Sequence, residues 1–96
     1  METEKVGAES RRIDIVNKRG LHARASARFV QVAEQFDAEV TVSKGGVDVS
    51  GTSIMGLMML AASPGCCIVV SAEGPEARKA LDALCDLVAN RFGEES

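Results

Sequence analysis

The apolar residues of this chain alternate, then recur at helical spacing, then alternate again. "RRIDIVN" places Ile13 and Ile15 on one side and Asp14 on the other, the period of a half-buried strand, and "KRG" breaks it. From Ala23 the period lengthens: Ala25, Phe29, Val32, Ala33 and Phe36 share one face, leaving Arg28, Gln31 and Gln35 outside, which predicts an amphipathic helix ended by "FD". "AEVTVSK" alternates through Ala38, Val40 and Val42, "GG" turns the chain, and "VDVS" answers with Val47 and Val49 as the second arm of a hairpin.

"GTSIMGLMMLAAS" predicts a short helix capped by Thr52 or Ser53, with Ile54, Leu57, Met58 and Ala61 inward, and "PG" stops it. One helix cannot turn Met55, Met58 and Met59 all inward, so Met55 and Met59 are expected in solvent. "CCIVVSA" is apolar on both parities and suits a strand in the middle of a sheet. The last helix opens with Pro75 in its first turn and closes at Gly93, with Ala77, Leu81, Leu84, Val88 and Phe92 as its stripe.

The order is β-α-β-β-α-β-α. Helical crossovers return the chain in parallel and right-handedly. An all-antiparallel four-stranded sheet then follows if the fourth strand inserts between the first and second, giving the order 1-4-2-3. The expected class is α/β, a two-layer open-faced sandwich with three helices on one face. Asp14, Thr41, Asp48 and Ser71 are expected on the other face.

Composition narrows the function classes. The 96 residues suit one domain, read as a flexible extension over 1–9 and a folded domain over 10–96. A net charge of −3 with three Phe and no Trp or Tyr argues against a nucleic-acid surface. The opening "METEKVGAESRR" has no apolar run of a leader peptide, and no apolar stretch approaches a membrane span. Cys66, Cys67 and Cys85 lack metal-site spacing and read as buried free thiols, which fits a reducing, cytoplasmic setting with no metal.

The chemistry converges on "NKRGLHARASARFV", which holds the single histidine. His22 falls at the first turn of the first helix, where backbone N–H groups lack intrahelical partners and the dipole is positive. Such an end suits phosphate. Arg24 adds a planar cation able to hold two phosphate oxygens, and Gly20 lets the preceding loop bend tightly. A positive helix end disfavours a second positive charge on the ring, which leaves an unprotonated nitrogen as nucleophile. On these residues alone, a plain helix cap or surface histidine stays open as the blander reading.

"GLHARASARFV" resembles the active-site motif of the HPr family, the histidine-containing phosphocarriers of the bacterial phosphotransferase system. "GTSIMGLMMLAASPG" resembles the same family's regulatory serine segment at the right distance downstream. The resemblance extends from about Arg12 to Gly93. It implies that His22 takes a phosphoryl group on Nδ1 from phosphoenolpyruvate-charged Enzyme I and gives it to an Enzyme IIA domain, while Arg24 steadies it. It further implies that Ser53 matches the serine modified in many members by HPr kinase/phosphorylase, and that Ala27, Ile54, Met55 and Met58 match the partner-docking patch. Phosphate on Ser53, at a helix N-terminus, is electrostatically favoured there. Two departures stand out: Ala25 replaces a common proline, keeping one more N–H for phosphate, and Thr52 replaces a common lysine beside Ser53.

The leading expectation is therefore a monomeric phosphocarrier, not an enzyme, needing no cofactor and binding neither nucleic acid nor membrane. Its alternative is a nitrogen-type regulatory relay that controls enzymes or transcription and feeds no sugar permease. An acylphosphatase-like hydrolase is a third reading, weakened because it has no need for His22.

Overall fold

The computed structural model describes residues 9–60, 63 and 65–93. Its elements are β1 (Glu9–Asp14), α1 (Ala23–Ala33), β2 (Glu39–Lys44), β3 (Val47–Ser50), α2 (Ile54–Met59), β4 (Cys67–Glu73) and α3 (Ala77–Ala89), with a closing turn over Arg91–Gly93. The sheet order is β1-β4-β2-β3 with every neighbouring pair antiparallel, in the expected 1-4-2-3 arrangement. Residues 1–8 of the expected extension lie outside the described residues, as do Ala61, Pro64 and 94–96. Glu9 already stands in β1, opposite Ala72, where its carboxylate accepts from Arg78 Nε at 3.2 Å.

Strand β4 is central because both its edges are paired, and its Ile68, Val70 and Ala72 face the core. Val40 and Val42 of β2 join them beneath the helices. From α1 come Ala25, Phe29, Val30 and Ala33, and from α3 Ala77, Ala80, Leu81, Leu84 and Val88. The opposite face is open, with Asp14 and Asp48 exposed and Thr41 and Ser71 half-covered. Gly45 and Gly46 close the β2–β3 hairpin with φ of 57° and 85°, the left-handed pair that a tight two-residue turn needs.

Several periodicity-based expectations are corrected. Val47 is 55% exposed, because it sits at the hairpin tip on an edge strand. Within α2 only Leu57 is buried, followed by Leu60 just past its end, whereas Ile54 and Met58 are 40% and 43% exposed. A six-residue helix lying on α1 reaches the core along one narrow line, so Ile54 and Met58 flank that contact. All three cysteines are half-exposed. Cys67 donates to Asp14 Oδ1 at 3.2 Å on the open face, and Cys85 lies against Arg11 on the flank of α3.

The last helix also stops short of Gly93. Pro75 lies ahead of its cap residue Glu76, and the helix ends at Ala89 with Asn90 as C-cap. Arg91 and Phe92 then adopt φ of 57° and 55°, left-handed values that cost an L-residue about 1–2 kcal/mol each. The reversal turns the Phe92 ring fully into the core, a burial contributing about 1.5–3 kcal/mol. A Cβ on Gly93 would lie 2.8 Å from Arg28 Nη1, so the closing turn rests against the exposed side of α1.

Candidate functional site

His22 is the N-cap of α1, with extended backbone (φ −78°, ψ −176°) and a half-buried side chain. Its Nδ1 accepts a hydrogen bond from the Arg24 backbone N–H at 3.3 Å. An accepting nitrogen carries a lone pair, so the geometry assigns Nδ1 as the unprotonated ring atom and aims it at the open turn of the helix. The intrahelical ladder begins with Ser26 N–H donating to the His22 carbonyl at 2.8 Å. Ala23, Arg24 and Ala25 precede it, and their N–H groups have no acceptor one turn back. Arg24 itself is exposed. Nδ1 and a fan of amides thus share one helix tip, with exposed Arg24 in its first turn.

What holds that tip is local and partly buried. Ile15 N–H donates to the Cys66 carbonyl at 2.8 Å, tying the end of β1 to the start of β4. Asn17 is fully buried and its Nδ2 donates to the Gly20 carbonyl at 2.9 Å, the same oxygen that receives His22 N–H at 3.0 Å. Gly20 has φ of 67°, so a non-glycine residue would strain the loop just where the ring is launched. Buried Ser26 donates from Oγ to the Leu21 carbonyl at 3.3 Å. Neither Asn17 nor Ser26 is visible in the apolar period. The only prior hint is an asparagine at a strand end before "KRG".

Ser53 caps α2: its Oγ accepts from Gly56 N–H at 3.0 Å, which decides between it and Thr52. Thr52 instead pairs its hydroxyl with Ser50 Oγ at 2.9 Å. Gly51 between them is obligatory for packing, since an added Cβ would meet Val40 Cγ1 at 2.5 Å. Helices α1 and α2 pack against each other, carrying half-buried Ala27 on one and exposed Met55 (74%) and Met59 (77%) on the other.

The described residues also border recesses elsewhere on the surface. One of about 500 Å³ is bordered by Asp37, Glu39, Ser50, Thr52 and Glu73, away from His22. Among the described residues no cluster of three or more His, Cys, Asp or Glu could hold a metal ion. Near the loop, the Ser63 hydroxyl and backbone, with Lys44 further off, hold the Cys66 thiol below its usual range. The His22 ring, by contrast, stands half-buried at the tip of α1.

Residues 9–90 match the family model described as "PTS HPr component phosphorylation site". The chain belongs to the HPr family. It is 51% identical over 80 residues to the phosphocarrier protein HPr of Cupriavidus necator, covering 83% of this chain and 90% of that one. A relative from Shewanella violacea named phosphocarrier protein NPr is 43% identical over 86 residues, covering 90% of this chain and 94% of the relative. The crystal structure of HPr-C-His from Thermoanaerobacter tengcongensis superposes with a TM-score of 0.87 at 44% identity, spanning 92% of this chain and 99% of that chain. The protein is thus an HPr-type phosphocarrier of the phosphotransferase system, not an enzyme, and works with components of that system. Among the described residues no helix is long and apolar enough to cross a membrane.

Proposed function

We propose that the phosphoryl group rides on Nδ1 of His22, arriving from Enzyme I and leaving to an Enzyme IIA domain in the cytoplasm. The observation that carries this is the Nδ1 lone pair held at the helix tip by Arg24 N–H. In the transfer, the N–P bond on Enzyme I breaks as the Nδ1–P bond forms, and no electrons are gained or lost by the protein. The 3.3 Å contact is long for a hydrogen bond and gives way at small cost. Phosphoryl oxygens then receive the first-turn amides, and the Arg24 guanidinium swings over them, since charge-assisted bonds of this kind are short and strong. The same cradle stabilises departing and arriving phosphate alike, so the group stays transferable.

Ala27, Ile54, Met55 and Met58 form the docking surface, and Ser53 is the regulatory acceptor for HPr kinase/phosphorylase. As an N-cap, Ser53 places a phosphate where α2 tolerates negative charge, while about two added charges beside the patch oppose acidic partners. The decisive test is incubation with phosphoenolpyruvate, magnesium and Enzyme I, followed by intact mass. One acid-labile phosphoryl group that fails to appear on His22→Ala supports the reading; an acid-stable group, or none, refutes it.

The likeness to a protein named NPr favours a second reading, a nitrogen-type regulatory relay. Capture from the native cell extract separates them. A sugar-type IIA retained by the carrier supports the first reading, and only regulatory Enzyme I and IIA partners support the second.

A further inference from the structure

Three of the four methionines in the chain, Met55, Met58 and Met59, lie within one short helix, and all three face solvent. Their exposures are 74%, 43% and 77%, with Ile54 beside them at 40%. Among the described residues, Leu57 and Leu60 hold the helix to the core, at 0% and 5% exposed. Its first turn carries no acid and its last turn no base, so thioethers supply most of its outward chemistry. Leucine would give similar apolar area without the sulfur. Sulfur adds adaptability, and it adds a reversible two-electron oxidation.

We propose that Met55, Met58 and Met59 form an oxidant-sensitive modification site through which peroxide lowers the affinity of the carrier for its partners. The inference rests on the docking role given to α2 above. Hydrogen peroxide transfers one oxygen to the thioether sulfur: the O–O bond breaks, an S–O bond forms, sulfur is oxidised by two electrons, and water leaves. A methionine sulfoxide reductase reverses it with a dithiol as electron donor: the S–O bond breaks, the oxygen leaves as water and the dithiol becomes a disulfide. The sulfoxide is polar and chiral, and it meets a partner surface shaped for an apolar side chain. Because the anchors Leu57 and Leu60 contain no sulfur, α2 stays in place while its outer face changes. His22 sits on α1 and its chemistry is untouched. The expected signature is therefore weaker docking with intact phosphoryl transfer.

The competing target is Cys66, whose thiol is held below its usual range by Ser63. The experiment treats the full chain with hydrogen peroxide, then with catalase and dithiothreitol, which return sulfenic acids and disulfides to thiols but leave sulfoxides. Peptide mass spectrometry maps the oxygen, and Enzyme I-dependent phosphorylation is measured before and after. We expect single oxygens on Met55 and Met59, with Met58 slower. The KM for the carrier should rise roughly tenfold with kcat retained, as for the loss of a moderate contact at an interface. Methionine sulfoxide reductases of both epimer classes should restore it.

The Met55→Leu/Met58→Leu/Met59→Leu variant, which keeps Met1 and all three cysteines, should show the same KM before and after peroxide, whatever its starting value. Sulfoxides mapped on α2 with no change in KM overturn the inference. So does an equal rise in the leucine variant. Untreated protein that takes no phosphate from Enzyme I overturns the carrier reading itself, a result distinct from either.

Discussion

Asn17→Ala removes a buried side chain that touches no substrate, yet it should weaken both the fold and the transfer. Asn17 Nδ2 supplies one of the two hydrogen bonds received by the Gly20 carbonyl; the other comes from His22 N–H at 3.0 Å. The site is fully buried, so truncation leaves a carbonyl short of a donor at a cost of about 1–3 kcal/mol. For a domain of this size each 1 kcal/mol lowers Tm by about 4–8 °C, so a fall of roughly 4–24 °C is expected by circular dichroism. The kinetic consequence follows from the shared acceptor. Gly20 is held at φ 67° and launches the His22 backbone, so loosening its carbonyl lets the ring drift from the helix tip. A misplacement approaching 1 Å costs about a hundredfold in rate, and a tenfold to hundredfold loss in phosphoryl acceptance from Enzyme I is expected. A variant that melts like the parent and accepts phosphate at the parental rate would refute the buried-donor argument. One that melts lower yet transfers normally would refute the link from Asn17 to the ring.

Arg91→Gly relieves one of the two left-handed non-glycine residues and should stabilise the protein by about 1 kcal/mol, raising Tm by about 4–8 °C in thermal melts. An unchanged or lower Tm would mean that the Arg91 side chain contributes as much as its backbone strain costs. Gly51→Ala forces a Cβ to within 2.5 Å of Val40 Cγ1 and should cost about 1–3 kcal/mol in urea unfolding; a neutral result would show that the turn moves freely away from β2. Ala25→Pro removes a first-turn N–H and should leave the carrier competent while changing phosphohistidine lifetime. Identical hydrolysis rates followed by phosphorus NMR would show that this amide does not bind the phosphate.

The sheet order was legible because each element has its own signal. Alternation marks β1 and β2, two glycines fix the hairpin, and the two-sided apolar run "CIVV" demands the central position that β4 occupies. His22 and Arg24 were legible as a pair because a cap position and the open amides behind it are set by local spacing. Asn17 and Ser26 were not, since a polar residue buried to satisfy a nearby carbonyl leaves no trace in the apolar period. Nor was the outward turn of Ile54 and Met58. Their spacing matches an inner face, and only the shortness of α2 and its seat on α1 show that Leu57 and Leu60 suffice to hold it. The reversal at Arg91 and Phe92 escaped for a similar reason: Phe92 keeps the helical phase, and its burial is reached by a different backbone path.

The most direct test is a proton–nitrogen correlation spectrum of the His22 ring, recorded with phosphorus coupling after charging by Enzyme I. Nδ1 should carry the phosphorus and Nε2 the proton, and the Arg24 amide should shift as its acceptor changes from ring nitrogen to phosphate oxygen. Phosphorus on Nε2, or an Arg24 amide that does not respond, would contradict this assignment.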